Sequence, residues 1–245
     1  MAITASRAGL GRLTAAERVF FLHIPKTAGS TFVEFFRGRA AGKAGFWYRP
    51  EARQRFLSVR EYNPQVHRIA GGHFPLHQAL AIAGTGCTYL SFVREPVERL
   101  VSYYRFAQRT EAQNSTADAA RRHDISGFLK FLEAERPRIL RNQQSRFLAR
   151  HAGLEQQLDL TLDEVMDSWE AVDRVVLPAH QCAAAVAAVA QGQGLGAEVK
   201  GQLRNQKVSP PSGAGALDER SRQLLLENNR QDLALYELVT ANAGS

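Results

Sequence analysis

Cysteine is nearly absent from this sequence, with Cys87 and Cys182 the only two in 245 residues. Two cysteines cannot build a disulfide framework, and these have no metal-ligand spacing, so a reducing compartment fits. Long apolar runs are missing too. No stretch reaches the about 18 residues of a membrane-spanning helix, and the alanine-rich run from Cys182 to Ala190 is too short. The lead MAITASRAGLGRLTAAER lacks an apolar core of signal-peptide length. A mobile lead over residues 1–17 and a cytoplasmic location are therefore expected. Internal repeats and low-complexity tracts are absent. Acidic residues are outnumbered, 24 Asp and Glu against 31 Lys and Arg, for a net charge of +7. That balance favours an anionic ligand, and nucleic acid, an anionic cofactor or an acidic polymer would each satisfy it. With 44% hydrophobic and 22% charged residues, the chain is neither disordered nor fibrous. Its length suits one domain spanning residues 1–245.

Against these absences stand two similar units. Residues 19–24, VFFLHI, form a short and nearly continuous apolar run, as a strand covered on both faces requires. From Ser30, STFVEFFRGRA spaces Phe32, Phe35 and Phe36 as a helix would. A second strand, TYLSFV from Thr88 to Val93, runs into REP, where Pro96 suits the first turn of a helix. That helix buries Val97, Leu100, Val101 and Tyr104 at i, i+3, i+4, i+7. A short strand is expected around Arg68 to Gly71 and another within Ala171 to Leu177. Helices are expected near 126–135, 139–152, 161–170, after Pro178, and from Asp218 to about Val239. Residues 46–64 show no clear period, and residues 192–216, rich in Gly, Pro and Ser, read as a long loop. Strand, turn and helix occurring twice predict an α/β, P-loop-like layered fold with a mainly parallel central sheet flanked by helices. Ligands of such folds sit beyond the C-terminal ends of the strands.

Both turns have the chemistry of anion sites. In Pro25 to Thr31, backbone N–H groups at a helix start lack intrahelical partners and the helix dipole adds positive potential. Gly29 permits close backbone approach, Lys26 adds a mobile charge, and Thr27, Ser30 and Thr31 add hydroxyl donors. The segment lacks the Walker A order, in which the lysine follows the last glycine, because Lys26 precedes Gly29. The competing explanation is an ordinary Ser/Thr helix cap. In the second unit Arg94 ends its strand and Ser102 lies about two helical turns along, so both can border one anion. Here the competing explanation is a surface pair with Glu95 or Glu98. Two anion sites, each after a buried strand, suit a ligand with two separated anionic groups.

FLHIPKTAGSTF resembles the 5′-phosphosulfate loop, and FVREPVERLVSYYRF the 3′-phosphate segment, of sulfotransferases that use 3′-phosphoadenosine 5′-phosphosulfate (PAPS). The wording is closest to the sulfotransferase family 2 group, which includes the heparan and dermatan or chondroitin enzymes. The resemblance implies that Lys26 contacts the 5′ phosphosulfate and assists the leaving oxygen, that Thr27, Ala28, Gly29, Ser30 and Thr31 complete the loop, and that Arg94 and Ser102 bind the 3′ phosphate. QLRNQKVS is similar in placement to a segment that closes over the nucleotide, which adds Arg204 and Lys207. NQQSRFL, from Asn142 to Leu148, is similar to a family segment near the substrate cleft. The implied acceptor is a hydroxyl on a carbohydrate or glycolipid, with a lipid or small-metabolite alcohol also open, in a bacterial-type soluble enzyme without nucleic acid as partner and without metal.

Sulfuryl transfer also needs a base. GGHFP places His73 at the expected exit of a strand, and histidine titrates near neutral pH. Heparan-type relatives carry a histidine there and a second one two residues earlier, where this chain has Gly71. His77 is the fallback base, and His23 reads as structural. Residues 46–60 suit an acceptor-site wall. Two other readings stay open at this point: a P-loop-type kinase using ATP and Mg²⁺, and a non-enzymatic module for an anionic polymer.

Overall fold

A computed structural model describes residues 6–40, 42–48, 62–169, 172–195 and 217–242. In chain order the elements are α1 (Ser6–Ala15), β1 (Val19–Leu22), α2 (Gly29–Arg39), β2 (Ala44–Trp47), β3 (Ile69–Gly72), α3 (Leu76–Ala83), β4 (Thr88–Val93), α4 (Pro96–Arg109), α5 (Ser115–Arg122), α6 (Ile125–Glu135), α7 (Pro137–Leu140), α8 (Gln143–Phe147), α9 (Ala152–Gln156), α10 (Leu162–Asp167), β5 (Arg174–Pro178), α11 (Cys182–Gly192), α12 (Glu219–Asn228) and α13 (Arg230–Ala241). The five strands form one sheet in the order β2-β3-β1-β4-β5, and every neighbouring pair is parallel. The chain is therefore the α/β fold with a parallel central sheet that the two strand-turn-helix units predict.

Side chains alternate across β1. Phe20 and Leu22 join Phe74, Tyr89, Trp169, Leu235 and Val239 on one face of the sheet. Phe21 joins Phe32, Phe36, Leu90, Phe92 and the alanine-rich α11 on the other. Each such fully buried phenylalanine contributes about 1.5–3 kcal/mol relative to an exposed one. A third cluster ties α4 to α5, α6 and α12 through Leu100, Tyr104, Phe128 and Leu225. Among the described residues, no helix is long and apolar enough to cross a membrane.

Several expectations are corrected. The lead is structured over residues 6–15: α1 buries Leu13 completely, and Arg12 forms an ion pair with Asp173. Leu10 and Leu13, three residues apart, give this short helix a face that packs with the α2 and α11 side of the core. β2 lies in the stretch that showed no period; it is an edge strand with half-buried residues, so its pattern is weak. The helix expected over 139–152 is broken into α7, α8 and α9, and the one from Asp218 is split at Asn229 (φ −129°, ψ 31°). Of the loop expected over 192–216, α11 takes Gly192, while 196–216 lie outside the described residues, and Arg204 and Lys207 with them. Of the suggested acceptor wall, only residues 46–48 are described.

The fold also accounts for Gly71. In β3 it pairs with Phe21 of β1, and a Cβ there would fall on the Phe21 carbonyl oxygen. No side chain fits, so the second histidine of the heparan-type pattern has no room. Gly71→Ala should lower the free energy of unfolding by about 1–3 kcal/mol, the range for overpacking, in a denaturant titration. An unchanged midpoint would contradict this packing.

Candidate active site

The parallel order brings three exits together. β1 lies between β3 and β4, with Leu22 in register with Gly72 on one side and Ser91 on the other. His73 follows β3, the 25–31 loop follows β1, and Arg94 follows β4, all at the C-terminal edge of the sheet.

The loop after β1 is conformationally unusual. Lys26 (φ 72°) and Ala28 (φ 70°) both adopt the left-handed region, where a side chain costs roughly 1–2 kcal/mol per residue. Thr27 between them is fully buried and its hydroxyl donates to the Ile24 carbonyl at 2.9 Å. That hydroxyl, expected to face an anion, instead holds the turn. Ala28 is the N-cap of α2, without a side-chain hydrogen bond. The ordinary Ser/Thr cap is therefore not what this helix uses. Ser30 is exposed and Thr31 half-buried in the first turn, where backbone N–H groups lack intrahelical acceptors. Gly29 is needed for a reason the sequence did not reveal: a Cβ there would land on the His23 ring.

Cations gather opposite this loop. The Lys26 ammonium lies 4.4 Å from the centre of the Phe106 ring on α4, and that ring is 46% exposed despite its size. Burial, then the charges of Arg109 and Arg94, push the Lys26 pKa down. Glu98 takes the Nε of Arg94 at 3.0 Å, the surface pairing weighed from the sequence. Ser102, Phe106 and Arg109 fall at i, i+4 and i+7 on α4, so Ser102 is one turn from the ring beneath Lys26. Arg109 was missed in the sequence, although that spacing from Ser102 was a signal for it.

On the other side of the loop, His73 Nδ1 lies 2.7 Å from the His23 carbonyl oxygen. A carbonyl only accepts, so Nδ1 carries the hydrogen and the neutral ring has its lone pair on Nε2. The His73 ring centre is 4.7 Å from that of His23 and 4.8 Å from that of Tyr48. His23 Nδ1 lies 2.9 Å from the Tyr48 hydroxyl. Burial first, then His73 and Lys26, hold the His23 pKa well below its usual value, so this ring stays neutral. His23 is thus a packed structural histidine wedged between the loop and His73. Tyr48, the residue after β2, lies beside His73, and its signal in the sequence was its place in the suggested acceptor-site wall over residues 46–60. His77, the fallback, stands in the first turn of α3 with Nδ1 buried and without a hydrogen-bond partner among the described residues.

The chain yields no significant match to a curated protein. The profile of the sulfotransferase family, however, matches residues 13–193, which take in all five strands and all three exits. With the match covering most of its length and the whole of this sheet edge, the chain belongs to the sulfotransferase family.

Proposed function

We propose that this sulfotransferase moves a sulfuryl group from PAPS to an acceptor hydroxyl on a carbohydrate or glycolipid. The observation that carries this reading is the arrival of His73, the Lys26 loop and Arg94 on three adjacent parallel strands. The residues suit the donor: an α2 N-terminus without a side-chain cap and Lys26 would face one anionic end, and Arg94 with Ser102 the other. Arg109 adds charge near Lys26. A ligand with phosphosulfate and a separate phosphate would relieve the mutual repulsion of these cations.

In the transfer, the acceptor oxygen forms a bond to sulfur as the bond from sulfur to the phosphate oxygen breaks in line. The acceptor proton goes to Nε2 of His73, whose tautomer is set by the His23 carbonyl. Lys26 stabilises the charge on the departing phosphate oxygen. Tyr48 offers aromatic surface beside His73 for the acceptor. Positioning and electrostatics carry the reaction, as in phosphoryl transfer.

Titration calorimetry should show 3′-phosphoadenosine 5′-phosphate (PAP) binding without metal, and much weaker binding of ATP with Mg²⁺. Lys26→Ala and Arg94→Ala should each weaken PAP by about tenfold or more, the loss of one charge-assisted contact. Unchanged affinity in both would sink the assignment. His73→Ala should lower transfer to a hydroxyl acceptor by about a hundredfold or more while PAP affinity stays within about twofold. Turnover equal to the parent would remove His73 as the base.

A further inference from the structure

α8 lies outside the sheet yet holds the residue that leaves β4. Gln144 is fully buried. The Arg94 N–H donates to its Oε1 at 2.8 Å, and its Nε2 donates to the Arg94 carbonyl at 2.9 Å. Arg94 stands where the chain has just left the sheet, since the last β4–β5 register pair is Val93 with Pro178. The carboxamide thus satisfies both backbone groups that a neighbouring strand would have taken. It fixes the turn from which the Arg94 side chain departs.

Gln144 is in turn held by α13. Its own N–H and that of Ser145 donate to the two oxygens of Asp232 at 3.0 and 2.7 Å. Asp232 is fully buried. α8 has no side-chain cap of its own, because its N-cap Asn142 is left-handed (φ 43°) and turns its side chain away. Asn142 Oδ1 accepts from the Gln231 N–H at 3.1 Å, and its Nδ2 donates to the Leu158 carbonyl at 3.1 Å. Asp232 therefore supplies, from another helix, the acceptors a cap would give. It lies beyond the residues that the family profile matches.

We propose that Gln144, held by Asp232, is a positioning residue for the anion contact of Arg94, an inference that rests on the reading of Arg94 as the 3′-phosphate ligand. A bidentate carboxamide sets the Arg94 backbone to within a hydrogen bond's tolerance, and a shift of about 1 Å is enough to spoil a charged contact.

The test is titration calorimetry with PAP and with adenosine 5′-phosphosulfate, which lacks the 3′ phosphate. Gln144→Met keeps the side chain's length and loses both hydrogen bonds. Its PAP affinity should fall about tenfold or more, with the 5′-phosphosulfate changed by less than about twofold. Asp232→Asn keeps the shape and removes a negative charge; charge alone would tighten an anion, whereas positioning weakens PAP selectively by about threefold or more. Equal losses for both nucleotides, or unchanged PAP affinity in Gln144→Met, would overturn the proposal. Should Gln144→Met fail to fold, Asp232→Asn decides alone, and PAP binding as tight as the parent's or tighter refutes the role. A parent that binds no PAP brings down the donor reading itself; a parent that binds it, with both variants unaffected, brings down only the positioning role.

Discussion

Everything at the candidate site depends on the parallel pairing of β1 between β3 and β4. Neighbouring strands lie about 4.8 Å apart, so the exits of β3 and β4 are held about 10 Å from each other with the β1 exit between them. That spacing puts an imidazole, an ammonium with a helix terminus, and a guanidinium side by side, although they come from residues 73, 26 and 94. The pairing is secured by burial on both faces of β1. Phe20 and Leu22 are locked into one core and Phe21 into the other, so a slip of one residue would reverse every side chain. Gly71 and Gly29 belong to the same constraint, each leaving room for a neighbour that the pairing brings in close.

The site stores electrostatic and conformational cost. Lys26 is partly desolvated and faces two arginines, and Glu98 offsets only one of them. Two residues of its loop stand in a left-handed backbone that side chains disfavour. Such costs persist where surrounding structure over-determines the geometry. Here the Thr27 hydroxyl bonded to Ile24, the buried His23 ring beneath Gly29, and the Phe106 ring beneath Lys26 do so. His23 touches both halves of the proposed chemistry, since its ring packs under the loop and its carbonyl orients His73.

The helical layer has a polar interior. Arg99 is fully buried, donating to Gln143 and, at 3.0 Å, to the Ile139 carbonyl, with the charge of Asp232 nearby. Asp232 also receives the N–H groups of Gln144 and Ser145. The hub joins α4, α8 and α13, the elements behind the Arg94 turn.

The sequence by itself determined the layer type and the chemistry of the two turns. Periodicity in VFFLHI and TYLSFV, and the switch to helical spacing after each, are local properties that survive without a partner. It did not determine β2, an edge strand with little burial to pattern it, nor the burial of Leu13, which needs α11 to pack against. The proximity of Arg109 to Lys26 and the bond of Tyr48 to His23 were hidden because they depend on what faces them, and the role of Gln144 because its two hydrogen bonds cross 50 residues of chain. Strand order was the tertiary decision that mattered most. Hydrogen bonds between strands can be satisfied in many orders, and only the packing of both faces selects the one that sets His73, Lys26 and Arg94 side by side.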